Sequence, residues 1–387
     1  MRNGYRIYDA DTHVHATAES LERYLTPELR ARVPDLETHK SPFRTGWAGE
    51  KLEAPHRNLF RFERRGGWGG GGALRVLGEA GPREGETREF QHFMGSVFPT
   101  LGSSDYDPDA RIRDMDREGV DVHMMVPPGP VGHEDPWVEM EFIRANHRYL
   151  DDFCGDYPHR LKSLIVASPR NIEGSVEEIK RWAGSSWAVG VQPHFPLDYP
   201  LDHPEMDAIW AAADEAGLAI VHHSFAWGYP GYRDLWDNPF LGRLASHPWA
   251  AMRAMGAFFG SGIMDRYPNI RFGILESGFG WLPFWARRMD DQAVYMGYVK
   301  EDLQHKLSEY MMGGRFFASI VLHEGEEMVK MVTDDLGDHV LMFGSDYPHA
   351  ESRFPDSADK VLGWQSLTPE RMQKLVWDNP VRFFGEP

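Results

Sequence analysis

Asp11, His13 and His15 occupy alternate positions in the run Arg6-Ile7-Tyr8-Asp9-Ala10-Asp11-Thr12-His13-Val14-His15. In extended backbone, residues two apart project to the same side. A β-prone segment ending in this pattern aims one carboxylate and two imidazoles at a point just past the C-terminal end of its strand. Oxygen and nitrogen donors converging in this way suit a transition-metal ion. The same residues also suit a plain polar strand end, with the Asp capping a turn. The rest of the chain must therefore bring further donors to that place.

The elements that would do so are legible from about residue 107 onward. Short apolar runs at 120–126, 161–167, 188–192, 218–221, 270–275, 316–321 and 340–343 join the first strand at 6–11 to make eight strand candidates. Between them lie segments of helical periodicity, at 107–118, 137–153, 172–183, 206–216, 248–264, 281–298 with 303–312, and 324–334. Further helix is expected at 20–33, interrupted near Pro27, and at 369–377 and 380–384. Apolar strands alternating with helices are the pattern of a parallel sheet covered on its faces. Eight such units predict a closed (β/α)8 TIM barrel. A doubly wound open sheet would place a glycine-rich turn after the first strand, where this chain has Asp and His. The expected organisation is one barrel domain over 1–387 with a long insertion after the first strand, at about 35–105. That insertion holds Gly66-Gly67-Trp68-Gly69-Gly70-Gly71-Gly72, which is preceded by no strand and followed by no Gly-Lys-Ser/Thr. It reads as a lid rather than a phosphate loop. Its aromatics Phe60, Phe62, Trp68, Phe90, Phe93 and Phe98 are expected to help close an apolar pocket.

In such a barrel, chemistry sits at the C-terminal ends of the strands. The ends here carry Asp11, His13 and His15 on the first, His194 on the fourth, His222 and His223 on the fifth, Glu276 on the sixth, and Asp346 with His349 on the eighth. Each histidine alone is an ordinary polar neighbour. Their coincidence at one rim points to a metal site.

Composition narrows the partners. The 387 residues carry a formal net charge of −18, with 42% hydrophobic and 26% charged residues. The pI is about 5.4. An acidic surface argues against nucleic acid or an anionic membrane. An acidic substrate would need a local positive centre, which a bound metal supplies. The lone cysteine, Cys154, leaves no intrachain disulfide. The first ten residues contain two Arg and no apolar core, and no apolar stretch reaches spanning length. The expectation is a cytoplasmic protein that acts on a small molecule.

Four stretches carry a resemblance to a known family. They are Asp9-Ala10-Asp11-Thr12-His13-Val14-His15, Arg113-Asp114-Met115-Asp116-Arg117-Glu118-Gly119-Val120-Asp121, Leu275-Glu276-Ser277-Gly278-Phe279-Gly280-Trp281-Leu282-Pro283 and Phe343-Gly344-Ser345-Asp346-Tyr347-Pro348-His349. Together they resemble the amidohydrolase-related metal enzymes, the branch that includes aminocarboxymuconate-semialdehyde and γ-resorcylate decarboxylases. The resemblance implies a divalent metal, most often zinc, with manganese or iron as alternatives and one or two ions bound. It implies Asp11 and His13 as the first-strand ligand pair, where relatives carry His-x-His or Glu-x-His. His194 matches the ligand after the fourth strand. His222 matches the histidine after the fifth, a base or electrophile, with His223 as its alternate. Asp346 matches the last-strand carboxylate that touches the metal and handles the proton. Oligomers are also implied, of this chain or with a related one.

Such a site would lower the pKa of a water toward ~7, for hydrolysis of a small acid, lactone or amide. It would equally orient a carboxylate for non-oxidative decarboxylation, with Asp346 protonating carbon. His15, His223, Glu276 and His349 exceed the needs of one ion. They read either as hydrogen-bond partners of the ligands or as ligands of a second metal, the latter in a dinuclear iron or manganese oxygenase on the same scaffold. A third reading is a weakly active subunit in a hetero-oligomer of related chains. Every position of the simplest site holds a competent residue, which weighs against it.

Overall fold

The computed structural model describes residues 1–42, 44–45, 50–51, 58–62, 107–127, 133–193, 201–223, 239–349 and 352–387. Eight strands form one sheet: β1 (Tyr8–His13), β2 (Val122–Val126), β3 (Leu161–Ala167), β4 (Ala188–Pro193), β5 (Ala219–His223), β6 (Phe272–Leu275), β7 (Phe316–Ser319) and β8 (Leu341–Met342). Their order in the sheet is their order in the chain. Every adjacent pair is parallel. β1 meets the far edge through Ala10 N to Phe343 O at 2.9 Å and a parallel bridge between Thr12 and Tyr347. The architecture is the (β/α)8 barrel that the alternation predicts. Strand side chains buried from both sides explain why these segments read as near-continuous apolar runs.

One principal helix follows each strand: α1 (Pro108–Glu118), α2 (Pro136–Gly155), α3 (Ile172–Trp182), α4 (Asp207–Glu215), α5 (Pro239–Gly260), α6 (Leu282–Met296), α7 (Glu326–Leu336) and α8 (Asn379–Phe384). Local chemistry starts and stops them. In α1 the Asp107 side chain accepts from Ala110 N and Pro108 occupies the first turn. Gly119, at φ 83°, then ends the helix. The fifth helix differs from expectation. The sequence reading gives it as 248–264, but α5 begins at Pro239 and carries Pro248 in its interior. Its far end comes earlier too, because Gly262 at φ 72° separates it from a short helix at Ile263–Arg266.

The chain between β1 and α1 is described only in part. Lys40–Pro42 pairs antiparallel with Asn58–Phe60. Phe60 and Phe62 lie 5.4 and 4.8 Å from the Phe142 ring on α2, so both are packed into the core. The glycine run, Trp68, Phe90, Phe93 and Phe98 lie outside the described residues. Among the described residues, no helix is long and apolar enough to cross a membrane.

Candidate metal centre

At the C-terminal rim of the barrel the ends of β1, β5, β6 and β8 draw polar side chains into one buried cluster. His13 is its hub. Its Nε2 lies 2.9 Å from Asp346 Oδ1, 3.4 Å from Glu276 Oε2 and 4.0 Å from Asp11 Oδ1. His223 Nε2 lies 3.2 Å from Glu276 Oε2 and 3.7 Å from Asp11 Oδ1. His349 Nδ1 is 2.7 Å from Asp346 Oδ1, and its ring stacks on that of His13 at 4.0 Å.

The backbone is bent to make this possible. The pairing of β1 with β2 shifts register between Asp9 and Thr12, an irregularity of the kind that re-aims side chains beside active sites. Glu276 and Asp346 both have positive φ, at 47° and 62°. Non-glycine residues adopt that region at a cost of order 1–3 kcal/mol, and do so mostly at functional sites. Gly344 permits the approach of the two seam segments, since a Cβ there would sit 2.9 Å from Asp11 Cβ and 3.0 Å from Ser319 Cβ.

The electrostatics follow from burial and proximity. Burial alone would depress the imidazolium of His223, but the nearby carboxylates of Asp11 and Glu276 outweigh it and carry its pKa up to about 10. Burial would raise Glu276, yet His13 and His223 hold it well below the ordinary carboxylate value. In the metal-free chain a proton on His223 thus sits where positive charge is wanted. Burial, reinforced by His349 and His13, pushes His15 well below the usual histidine value. Its ring lies 6.3 Å from that of His13 and 5.9 Å from that of His349, beside the cluster.

These residues fit a divalent cation. Donor atoms of His13, Glu276, Asp346 and His349 lie within 4.8 Å of one another, as do those of Asp11, His13 and His223. Asp11 Oδ1 and His13 Nε2 are buried and make no hydrogen bond among the described residues. An unmet buried acceptor is costly in a finished core and expected where a ligand is to bind.

Of the two adjacent histidines on β5, His223 is the one that reaches the carboxylates. Successive strand residues alternate sides, so His222 projects away from His223. Burial and the neighbouring His223 lower its pKa to about 3. His223, the alternate of the two in the sequence reading, is thus the one brought within reach of Asp11 and Glu276. His194 lies outside the described residues. Two participants were missed in the sequence. Ser319 Oγ donates to Asp11 Oδ2 at 2.9 Å and accepts from Glu276 N at 3.1 Å. Its position at the end of β7 was a usable signal, but a hydroxyl does not advertise a metal. His247 on α5 has Nδ1 2.8 Å from Glu276 O. Helical spacing alone offers no reason to bring it there.

Known proteins share this arrangement of strands and helices. An amidohydrolase from Mycobacterium avium subsp. paratuberculosis superposes with a TM-score of 0.71 at 18% identity, covering 99% of this chain and 98% of that one. A 5-carboxyvanillate decarboxylase from Novosphingobium aromaticivorans, solved with manganese and 4-hydroxy-3-methoxy-5-nitrobenzoic acid, gives 0.66 at 18% identity, covering 99% and 97%. In sequence, the chain is 24% identical over 303 residues to 2-amino-3-carboxymuconate-6-semialdehyde decarboxylase of Dictyostelium discoideum, covering 75% of this chain and 80% of the relative. Residues 10–385 match the Amidohydrolase family, from the first-strand motif to the last helix, and the chain belongs to it.

Proposed function

We propose that this protein is a metal-dependent decarboxylase that removes CO2, without oxidation, from a small aromatic or unsaturated carboxylic acid. The observation that carries the reading is the meeting of His13 and Asp346 at 2.9 Å beside Glu276, Asp11 and His223. The decarboxylases among its relatives support it, as does the manganese held by one of them.

Asp11, His13, Glu276 and Asp346 would hold the ion, with His194 as a further ligand. When bound, a divalent ion supplies the positive charge that anchors an anionic substrate in this acidic chain. Three carboxyl groups against two or three imidazoles make a donor set hard enough for manganese as well as zinc. Asp346 handles the proton. His349, part-buried at the edge of the cluster and 2.7 Å away, connects it with the outside. A protonated Asp346 gives its proton to the carbon that bears the carboxylate, forming a C–H bond. The C–C bond to the carboxylate then breaks, its electron pair returns to the unsaturated system, and CO2 leaves. His223 orients the substrate carboxylate. The protein works in a cytoplasm and as an oligomer.

The dinuclear oxygenase reading drew on the surplus of donors. Here the two ligand groups share His13, which supports one centre with alternative donors over two separate sites.

The test is metal analysis of protein purified without added metal, together with anaerobic CO2 release from a panel of hydroxybenzoates and carboxymuconate-type acids. About one equivalent of manganese or zinc with CO2 release is expected. Close to two equivalents including iron, with dioxygen uptake, would overturn the reading.

A further inference from the structure

Behind the rim, α1 carries charged side chains into the interior. Arg111 is 0% exposed and Asp114 2%. Each acts on a segment that bears a candidate ligand. Arg111 Nη2 donates to the backbone carbonyl of His13, and its guanidinium lies 5.1 Å from the centroid of the Tyr347 ring. Tyr347, next to Asp346, donates its hydroxyl to Asp114 Oδ2 at 2.6 Å. The Tyr347 carbonyl accepts from His13 N at 2.6 Å. Both ends of the His13 residue's backbone are thus tied to these side chains or to their direct partner.

The same unit brackets Asp346. Ser345 N donates to Asp9 Oδ1 at 3.0 Å, and Tyr347 N donates to Ser345 Oγ at 3.1 Å. Asp346 sits between these two anchored residues at φ 62°, a conformation that persists only where its surroundings over-determine it. Burying a guanidinium and a carboxylate is expensive, and apolar residues of similar volume would commonly stabilise a fold as well or better. Groups that hold metal ligands in place are a recognised reason for retaining such a cost.

We propose that Arg111, Asp114 and Tyr347 form a positioning unit that sets His13 and Asp346 at metal-binding distance across the seam between β1 and the segment after β8. The proposal rests on the metal-centre reading above.

The test is titration of metal-free protein with Mn2+, following the free ion and the bound-ion signal by electron paramagnetic resonance, in wild type, Tyr347→Phe and Asp114→Asn. Both variants keep shape; Tyr347→Phe removes the hydroxyl that makes the hydrogen bond, and Asp114→Asn removes the charge of its acceptor. Tyr157→Phe is the control, because it breaks an exposed bond from Tyr157 to Asp109 on the same helix, 2.6 Å long. The positioning role predicts Mn2+ affinity weakened about 10- to 100-fold in both test variants, with an altered bound-ion spectrum, and no change in the control. Affinity within about twofold of wild type and an unchanged spectrum in a folded Tyr347→Phe or Asp114→Asn protein would overturn the proposal alone, even with a lowered melting temperature. Failure of the wild type to bind either Mn2+ or, in a parallel titration, Zn2+ would overturn the metal reading and this proposal with it.

Discussion

The two ends of the barrel bury polar and charged groups on opposite terms. At the end away from the site, α8 sets Phe383 5.0 Å from Phe317 and Phe384 5.9 Å from Tyr8. Phe383 fills the space over Gly273, where a Cβ would fall 2.3 Å from its ring. The charged groups there are saturated by backbone. Arg271 donates to Phe383 O at 2.7 Å and Gly217 O at 2.8 Å, and Arg315 to Met264 O at 2.7 Å. At the catalytic end, carboxyl groups and imidazoles crowd together, two non-glycine residues stand at positive φ, and buried Asp11 Oδ1 goes without a hydrogen bond among the described residues. The first end also holds an unmet polar atom, since the buried Tyr8 hydroxyl makes no hydrogen bond among the described residues. A single unmet atom therefore does not mark the functional end. What marks it is the convergence of several carboxylates and imidazoles on strained backbone.

That contrast can be broken at either end. The largest effect is expected for Asp346→Asn, which removes the proposed proton carrier but keeps the shape. Turnover should fall about 10³-fold with the melting temperature little changed, and near-wild-type CO2 release would refute the proton-transfer role. His13→Ala comes next. It deletes the hub shared by both donor groups, so the metal content of purified protein should drop to a small fraction, and full occupancy would remove the first-strand site from the scheme. Phe383→Ala strikes the opposite end. Denaturant unfolding should show a loss of about 3–5 kcal/mol, while metal stoichiometry stays the same. A loss of metal in that variant would show that the two ends are not separable as argued here.

The mildest effect is a pH dependence. With the pKa of His223 raised to about 10 from an ordinary 6.5, the metal-free fold gains stability from that proton. The gain is fully present below about pH 6.5 and lost as pH rises through about 10. A cation entering beside His223 disfavours that proton by like-charge repulsion, so apparent metal affinity should strengthen from pH 6 to 9. Calorimetric titration in buffers of different ionisation enthalpy would detect the released proton, and pH-independent affinity would argue against this competition.

Much of this was readable from residues alone. Alternating apolar runs and helical periods foretold the barrel, because a strand enclosed by helices must be apolar on both sides. The spacing in Asp11-Thr12-His13-Val14-His15 aims three side chains at one point, because strand side chains alternate; Asp11 and His13 offer donors to one group there, and His15 lies beside it. Alternation leaves one choice open. Periodicity cannot say which of His222 and His223 faces inward, since a slip of one residue reverses every side chain. α5 starts nine residues before the 248 of the sequence reading, with Pro248 held inside the helix, a place where proline is ordinarily unfavourable.

The sequence by itself determined the scaffold and the rim, since both follow from periodicities of two and of about 3.6 residues, which are properties of local backbone geometry. Only the tertiary structure decided which donors meet. Ser319 touches Asp11 across 308 positions of chain, and Tyr347 reaches Asp114 across 233. No local pattern encodes contacts of that span. They exist because closing the barrel brings its first and last strands to one seam.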